Sequence, residues 1–340
     1  MREAVIIHQG ALGDFIQSLP ICSGLAALYP GISLHFVCRP AHAELVASQP
    51  YFAGAISCDG SRLGPFYLES GWEKVPLPPA FIRSEALFWI GQPASRIVAE
   101  RLQARLGKRV HWLQSFPVPP RGRPVGDFLL EQMRRLGYPL PDALPSLEVP
   151  SRPANRDGVL IHPGSGGRAK IWPLGCWHAL IQWLLTTNIP VRIVLGPADA
   201  PLSAFARAMA AAGCALELNL SLPRLTALMA ASRLVVGNDS GVTHLAAALG
   251  LDTVAVFGPA SPAMWRPRGP RVRVVNAAWL ADQGLAWPEL AVPEAIAPVA
   301  RAVCDLLADS DRVPAFSLRR RTESAADDGA GGFPVPARPG

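Results

Sequence analysis

Four short stretches of this chain carry residue types that can move a proton or hold an anion, and each follows an apolar run. Gly10-Ala11-Leu12-Gly13-Asp14 puts a carboxylate just ahead of an apolar-periodic segment. Such a carboxylate can take a proton from a substrate hydroxyl, or it can simply cap a helix. The second stretch, His162-Pro163-Gly164-Ser165-Gly166-Gly167-Arg168-Ala169-Lys170-Ile171-Trp172-Pro173, joins a glycine-rich loop to two cations. It suits a pyrophosphate, or else it is a solvent loop anchored by Trp172 and Pro173. Gly196-Pro197-Ala198-Asp199 offers another carboxylate, able to accept a ribose hydroxyl hydrogen bond or to cap the next helix. The fourth runs Gly237-Asn238-Asp239-Ser240-Gly241-Val242-Thr243-His244-Leu245-Ala246-Ala247-Ala248-Leu249-Gly250. It reads as a strand end, a small polar turn and an Ala/Leu-rich helix start. The free N–H groups and positive dipole end there can hold a phosphate, with Asp239 or Ser240 as an ordinary N-cap being the alternative.

Other chemistries lack their residues. His8, His162 and His244 have no metal-ligand spacing, and neither HExxH nor G-x-S-x-G occurs. His8 reads as structural; His162 and His244 stay open. No Gly-Lys-Ser/Thr is present, which argues against a P-loop. Gly164, Gly166 and Ala169 satisfy G-x-G-x-x-G/A by count, but Pro173 stands where that fingerprint's helix must run. The six cysteines are widely scattered and read as reduced core residues of a cytosolic protein.

The elements that position these loops alternate. Apolar runs at Ala4–His8, Ser33–Cys38, Ala55–Cys58, Ala86–Ile90 and Val110–Leu113 are separated by helical or irregular stretches, including helices over Phe15–Leu28 and Asp127–Leu136, the latter capped by Asp127. A second series follows at Gly158–His162, Val191–Leu195, Ala215–Leu218, Arg233–Val236, Thr253–Phe257 and Val272–Val275, with a last helix at Pro293–Ala308 that could return to the first domain. This alternation predicts parallel sheets wrapped by helices. Tyr138–Asp157 holds five prolines and reads as the connection. The expected organisation is therefore an N-terminal domain over 1–150, a C-terminal domain over 151–309 and a disordered tail over 310–340, with a ligand in the cleft between the domains.

Half the residues are hydrophobic and 17% are charged, enough for two cores in 340 residues. The N-terminal apolar run is too short for a signal peptide, and no uncharged stretch spans a bilayer. The net charge of +6 comes from dispersed arginines with no nucleic-acid motif, which disfavours nucleic acid and leaves an anionic small molecule or a lipid surface near Arg319-Arg320-Arg321.

Taken in order, Gly10 to Asp14, Lys170-Ile171-Trp172-Pro173, Gly237 to Ala248 and Phe257-Gly258-Pro259 resemble glycosyltransferase family 9, the lipopolysaccharide heptosyltransferases. The resemblance implies a GT-B architecture, two Rossmann-like doubly wound domains facing a central cleft. It also implies a metal-independent, inverting transfer with no cofactor. The donor is expected to be a nucleotide sugar, typically ADP-heptose, and the acceptor a lipid-linked glycan such as the lipopolysaccharide core. Asp14 matches the family's general base and Lys170 the lysine at the donor's phosphate and sugar. Asp239, Ser240, Gly241 and Val242 match the donor-binding turn, and Gly13, Ser165, Arg168, Asp199 and His244 complete the expected donor side. Asp199 stands near where relatives often carry glutamate, and residues 59–120 show no basic cluster to match a phosphorylated acceptor. The expected protein is cytoplasmic, with peripheral contact to the inner membrane. The competing readings are an NADP-dependent oxidoreductase, favoured by Gly164-Ser165-Gly166 and by Arg39 after the second strand, and a sugar-nucleotide-binding protein without catalysis.

Overall fold

The computed structural model describes residues 1–119, 122–149, 151–277 and 293–308; the expected disordered tail, 310–340, lies outside the described residues. The first half runs β1 (Glu3–His8), α1 (Leu12–Leu28), β2 (Ser33–Cys38), α2 (Pro40–Val46), β3 (Phe52–Ser57), α3 (Pro79–Arg83), β4 (Ala86–Gly91), α4 (Arg96–Leu106), β5 (Val110–Gln114) and α5 (Val125–Arg135). The second runs β6 (Val159–His162), α6 (Leu174–Leu185), β7 (Val191–Leu195), α7 (Ser203–Ala211), β8 (Ala215–Leu218), α8 (Leu222–Ala231) and β9 (Leu234–Asn238). It closes with α9 (Gly241–Ala248), β10 (Asp252–Phe257), α10 (Pro262–Trp265), β11 (Val272–Asn276) and α11 (Pro293–Leu307).

Central strands such as β1, β4, β6 and β9 are buried along nearly their whole length, because helices cover both faces of each sheet. Every strand pairing among the described residues is parallel. The first sheet has the order β3-β2-β1-β4-β5 and the second β11-β10-β9-β6-β7-β8. In both, the chain reverses direction across the sheet at one place, between β1 and β4 and between β6 and β9. Ligands of open α/β sheets bind in the crevice outside the carboxyl ends of the strands at such a reversal. The loops carrying Asp14, Lys170 and Asp239 follow β1, β6 and β9, so the topology brings the chemistry to the two reversal points.

The halves meet over an apolar seam. Phe15, Leu19 and Leu25 of α1 belong to the same buried cluster as Leu245, Ala246 and Leu249 on and just beyond α9, and as Leu225 and Met229 of α8. The proline-rich connection forms no helix or strand in its described residues, since its prolines remove N–H donors and fix φ. It is nonetheless anchored: Leu140 and Leu147 are buried, and Leu147 N donates to Ala248 O at 3.0 Å. Among the described residues no helix is long and apolar enough to cross a membrane.

Three expectations are corrected. Helix α1 begins at Leu12 with Ala11 as its N-cap, so Asp14 lies inside the first turn. Helix α5 begins at Val125 behind Pro124, whose ring presets the entry angle. Asp127 is therefore not a cap, and its carboxylate instead pairs with Arg268 of the second half. Helix α11 packs on α6, β9, β10 and β11, its apolar face completing the second core instead of returning to the first domain.

Candidate functional site

Two helix N-termini, α1 and α9, abut across the seam. A β-carbon on Gly241 would lie 2.8 Å from Leu12 Cβ and 3.1 Å from Gly13 N, and one on Gly13 would lie 3.2 Å from His244 Cδ2. Both positions need glycine for this approach. Unpaired N–H groups and the positive ends of two macrodipoles therefore converge on one place, which is where an anion is held best.

The turn ahead of α9 is fixed by its own side chains. Ser240 is the N-cap, and Thr243 Oγ1 accepts the Ser240 N–H at 3.3 Å while donating to Asn238 O or Ser240 O at 2.8 and 2.7 Å. Asn238 is fully buried: its Nδ2 donates to Pro163 O at 2.7 Å and Gly164 O at 3.2 Å, and its Oδ1 accepts Trp172 N–H at 3.0 Å. One amide thus clips both ends of the loop after β6 to the end of β9. Ser165 Oγ adds a bond to Asp239 O at 2.8 Å. Asn238 received no role from the sequence alone; its signal was an amide where an apolar strand ends, which many turns share.

This loop delivers Lys170, on a single helical turn over Arg168–Lys170, to Asp239, with Nζ 2.7 Å from Oδ2. The Asp239 side chain is nearly buried while Lys170 is partly open to solvent. Asp14 comes from the opposite half. Burial pushes its carboxyl above the ordinary range, against a backbone hydrogen bond at Ala11 and the Lys170 charge, with Asp239 raising it further. Asp14, Lys170 and Asp239 thus form one electrostatic cluster built from both halves. His244 is buried and pushed down to about 4, chiefly by burial and then by Lys170, against Asp239 and a hydrogen bond at the Trp265 backbone. It is a neutral ring packed against Gly13.

The remaining expected residues fall into place differently. Val242 is partly buried, with its side chain packed against the interdomain core. Arg168 stands exposed on the same short turn as Lys170. Asp199 is buried and lies behind the glycine loop: its Oδ2 is 3.0 Å from His162 Nε2 and accepts Gly196 N–H at 2.8 Å. A β-carbon on Gly164 would fall 1.9 Å from Asp199 Oδ1, so glycine is required there. The other ring nitrogen, His162 Nδ1, is 3.3 Å from Ser240 Oγ. Burial opposes ionisation of Asp199, but the His162 hydrogen bond and charge and the Gly196 N–H hold its carboxyl below the ordinary range.

On the first-half side a cavity of about 180 Å³ opens beside Asp14 at the carboxyl ends of β1 and β4, lined among others by Gly10, Trp89, Gln92, Ser115 and Phe116. His8 at its edge accepts Gly10 N–H through Nδ1 at 3.2 Å and is pushed down to about 3 by burial and by His42 and Arg39. Among the described residues no group of three or more His, Cys, Asp or Glu could hold a metal ion. After β6 no α-helix starts until Leu174, so the dinucleotide fingerprint suggested by Gly164 and Gly166 lacks its helix.

The chain is similar in sequence and fold to known proteins. Residues 129–283 match Glycosyltransferase family 9 (heptosyltransferase). The chain is 25% identical over 289 residues to lipopolysaccharide heptosyltransferase 1 of Pseudomonas aeruginosa, covering 76% of this chain and 79% of that protein. Its fold is similar to that of the family 9 glycosyl transferase of Veillonella parvula, with a TM-score of 0.69 at 15% identity over 91% of this chain and 98% of that one. It is also similar to the Escherichia coli heptosyltransferase WaaC with ADP, with a TM-score of 0.66 at 17% identity over 89% of this chain and 99% of that one. The architecture is GT-B, and the oxidoreductase reading falls away. From its two doubly wound sheets and these matches, the chain is a glycosyltransferase, and its residues 129–283 are similar to family 9, the heptosyltransferase family.

Proposed function

We propose that the protein transfers a heptose from ADP-heptose to a lipopolysaccharide core or related surface glycan, with inversion and without a metal. The carrying observation is the convergence of Asp14 from one half with Lys170 and the α9 N-terminus from the other. Displacing a diphosphate from an anomeric carbon builds negative charge on the leaving oxygen. Two helix N-termini and a lysine can stabilise that charge without a metal. On the other side, the acceptor hydroxyl attacks the anomeric carbon as the bond to the diphosphate breaks, and its proton passes to Asp14. A carboxylate raised by burial is a stronger base than an exposed one, which suits it to this task near neutral pH. Base and leaving group on opposite faces of the sugar give inversion.

The donor assignment is supported by the heptosyltransferase family match and by the ADP in the similar WaaC structure. In this reading Gly13, Ser165, Asp239, Ser240, Gly241, Val242 and His244 form or shape the donor site, and exposed Arg168 closes over the phosphates. The cavity beside Asp14 receives the acceptor. A lipid-linked acceptor would place the enzyme at the cytoplasmic face of the inner membrane, with its net charge of +6 favouring an anionic surface. The test is incubation with ADP-, GDP- and UDP-sugars and a heptose-deficient core acceptor, with and without a chelator, reading product mass and anomeric configuration. Transfer from ADP-heptose with inversion and no chelator effect is expected. Retention of configuration, or strict metal dependence, overturns the mechanism.

A further inference from the structure

Behind the donor turn lies a buried line of four groups: Gly196 N–H, the Asp199 carboxylate, the His162 ring and the Ser240 hydroxyl. We propose that His162 and Asp199 act as a positioning pair that turns the Ser240 hydroxyl hydrogen outward, toward the diphosphate of the donor. This rests on the reading of the α9 N-terminus as the diphosphate site.

An ionised Asp199 can only accept, so His162 Nε2, 3.0 Å from Oδ2, must carry a hydrogen. The state of the ring is then decided at Nδ1. If Nδ1 is bare it accepts the Ser240 hydroxyl hydrogen, and the oxygen lone pairs face the incoming anion. If Nδ1 is protonated it donates to Ser240 Oγ, and the hydroxyl is left to donate to a phosphate oxygen. An anionic ligand favours the second state, and Asp199 supplies the counter-charge that lets a buried ring hold it. Both His162 and Asp199 side chains are 5% exposed, so the pair cannot itself reach a ligand and acts through Ser240. The titratable group in contact with the ring is Asp199, after β7, and the nearby donor turn carries the Asp239–Lys170 pair. The ring is reversed relative to a hydrolytic triad, in which Nδ1 faces the carboxylate and Nε2 the serine. The arrangement therefore orients a hydroxyl and does not make a nucleophile.

The sequence explains why this was hidden. His162 ends β6 and Asp199 lies on the short helical turn that follows the neighbouring strand β7, 37 residues on. Gly164 is what lets the two meet, because any β-carbon there would occupy the space of the Asp199 carboxylate.

The test is a double-mutant cycle on ADP binding to the full chain by calorimetry, using Ser240→Ala, His162→Gln and the double variant, with His162→Asn as the conservative control. Asparagine keeps an N–H near the Nδ1 position, whereas glutamine keeps one only toward Asp199. Loss of a hydrogen bond to a charged group is expected to weaken ADP about tenfold in Ser240→Ala and about as much in His162→Gln. The double variant should be no more than about twofold weaker than either, and His162→Asn should stay within about threefold of wild type. Losses that multiply in the double variant, or His162→Asn as weak as His162→Gln, overturn the pair's role. Should His162 variants unfold, the wild-type protein labelled with nitrogen-15 histidine gives the same answer. Both His162 ring nitrogens are expected to be protonated in the ADP complex, and a bare Nδ1 there refutes the proposal. Wild-type protein that fails to bind ADP overturns the donor reading itself, and the positioning role with it.

Discussion

Gly241 sits so close to Gly13 that a β-carbon on the one would lie 3.1 Å from the backbone nitrogen of the other. Two helices from different sheets therefore point their N-termini at a common spot, and the smallest residue on each side makes that possible. Gly241→Ala should push α9 away from α1 and cost about 1–3 kcal/mol by overpacking. Transfer should fall more than stability does, because the convergence of the two helix ends is lost. Denaturant titration and initial rates on the same preparation check this; full activity in a stable Gly241→Ala protein would show that the close approach is not needed.

Asp14 and Lys170 are expected to separate in their kinetics. Asp14→Ala should lower turnover by about 10²–10⁴-fold, the usual worth of a general base, while ADP affinity changes by less than about threefold. Lys170→Gln should lower kcat/KM by about 10²–10³-fold and weaken ADP as well, since it removes a donor aimed at the leaving group. Unchanged turnover in Asp14→Ala would sink the base assignment.

The Asp14 carboxyl also predicts a pH dependence with a definite sign. Its folded pKa is raised, mainly by burial, so the folded state binds more protons than the unfolded state between the unfolded and folded values. Stability from this group is therefore present at low pH, declines as pH rises through that window and stays lower above it. Asp14→Asn should accordingly melt at a higher temperature than wild type at neutral pH, while being inactive. The acid limb of the wild-type kcat/KM profile should report the same raised value, and Lys170→Gln should move that limb to higher pH, since Lys170 holds Asp14 down.

Asn238→Ala should be among the most damaging single substitutions away from the reacting groups. It strands the Trp172 N–H and two carbonyls in a buried place, at about 1–3 kcal/mol for each unsatisfied group. Loss of stability together with weakened ADP binding is expected, because the same amide holds the Lys170 loop. A variant with normal stability and normal ADP affinity contradicts the clip.

Much of this was legible in the chain because parallel strands covered on both faces read as continuous apolar runs. Ser33–Cys38, Val191–Leu195 and Ala215–Leu218 form over the residues expected of them, and the others differ by no more than a few residues at their ends. The loops after β1, β6 and β9 were visible as candidates because glycine, cation and carboxylate follow an apolar run at each place. What the chain did not reveal depends on tertiary approach. Gly13 packs against His244 across the seam, the Asp127 carboxylate is used by Arg268 from the other half, and His162 meets Asp199 because β6 and β7 are neighbours in the sheet. Periodicity carries no information about such partners.

The apolar seam between α1 and α9 has one more consequence. Side chains of both halves belong to a single buried cluster, from Ala4 and Phe15 through Leu160 to Leu245. Pulling the halves apart would expose that cluster to water, so the two sheets should not melt one after the other as beads on a string do. One calorimetric transition, sharpened and shifted upward by ADP, is the expected signature of a reaction centre placed where two folding units become one.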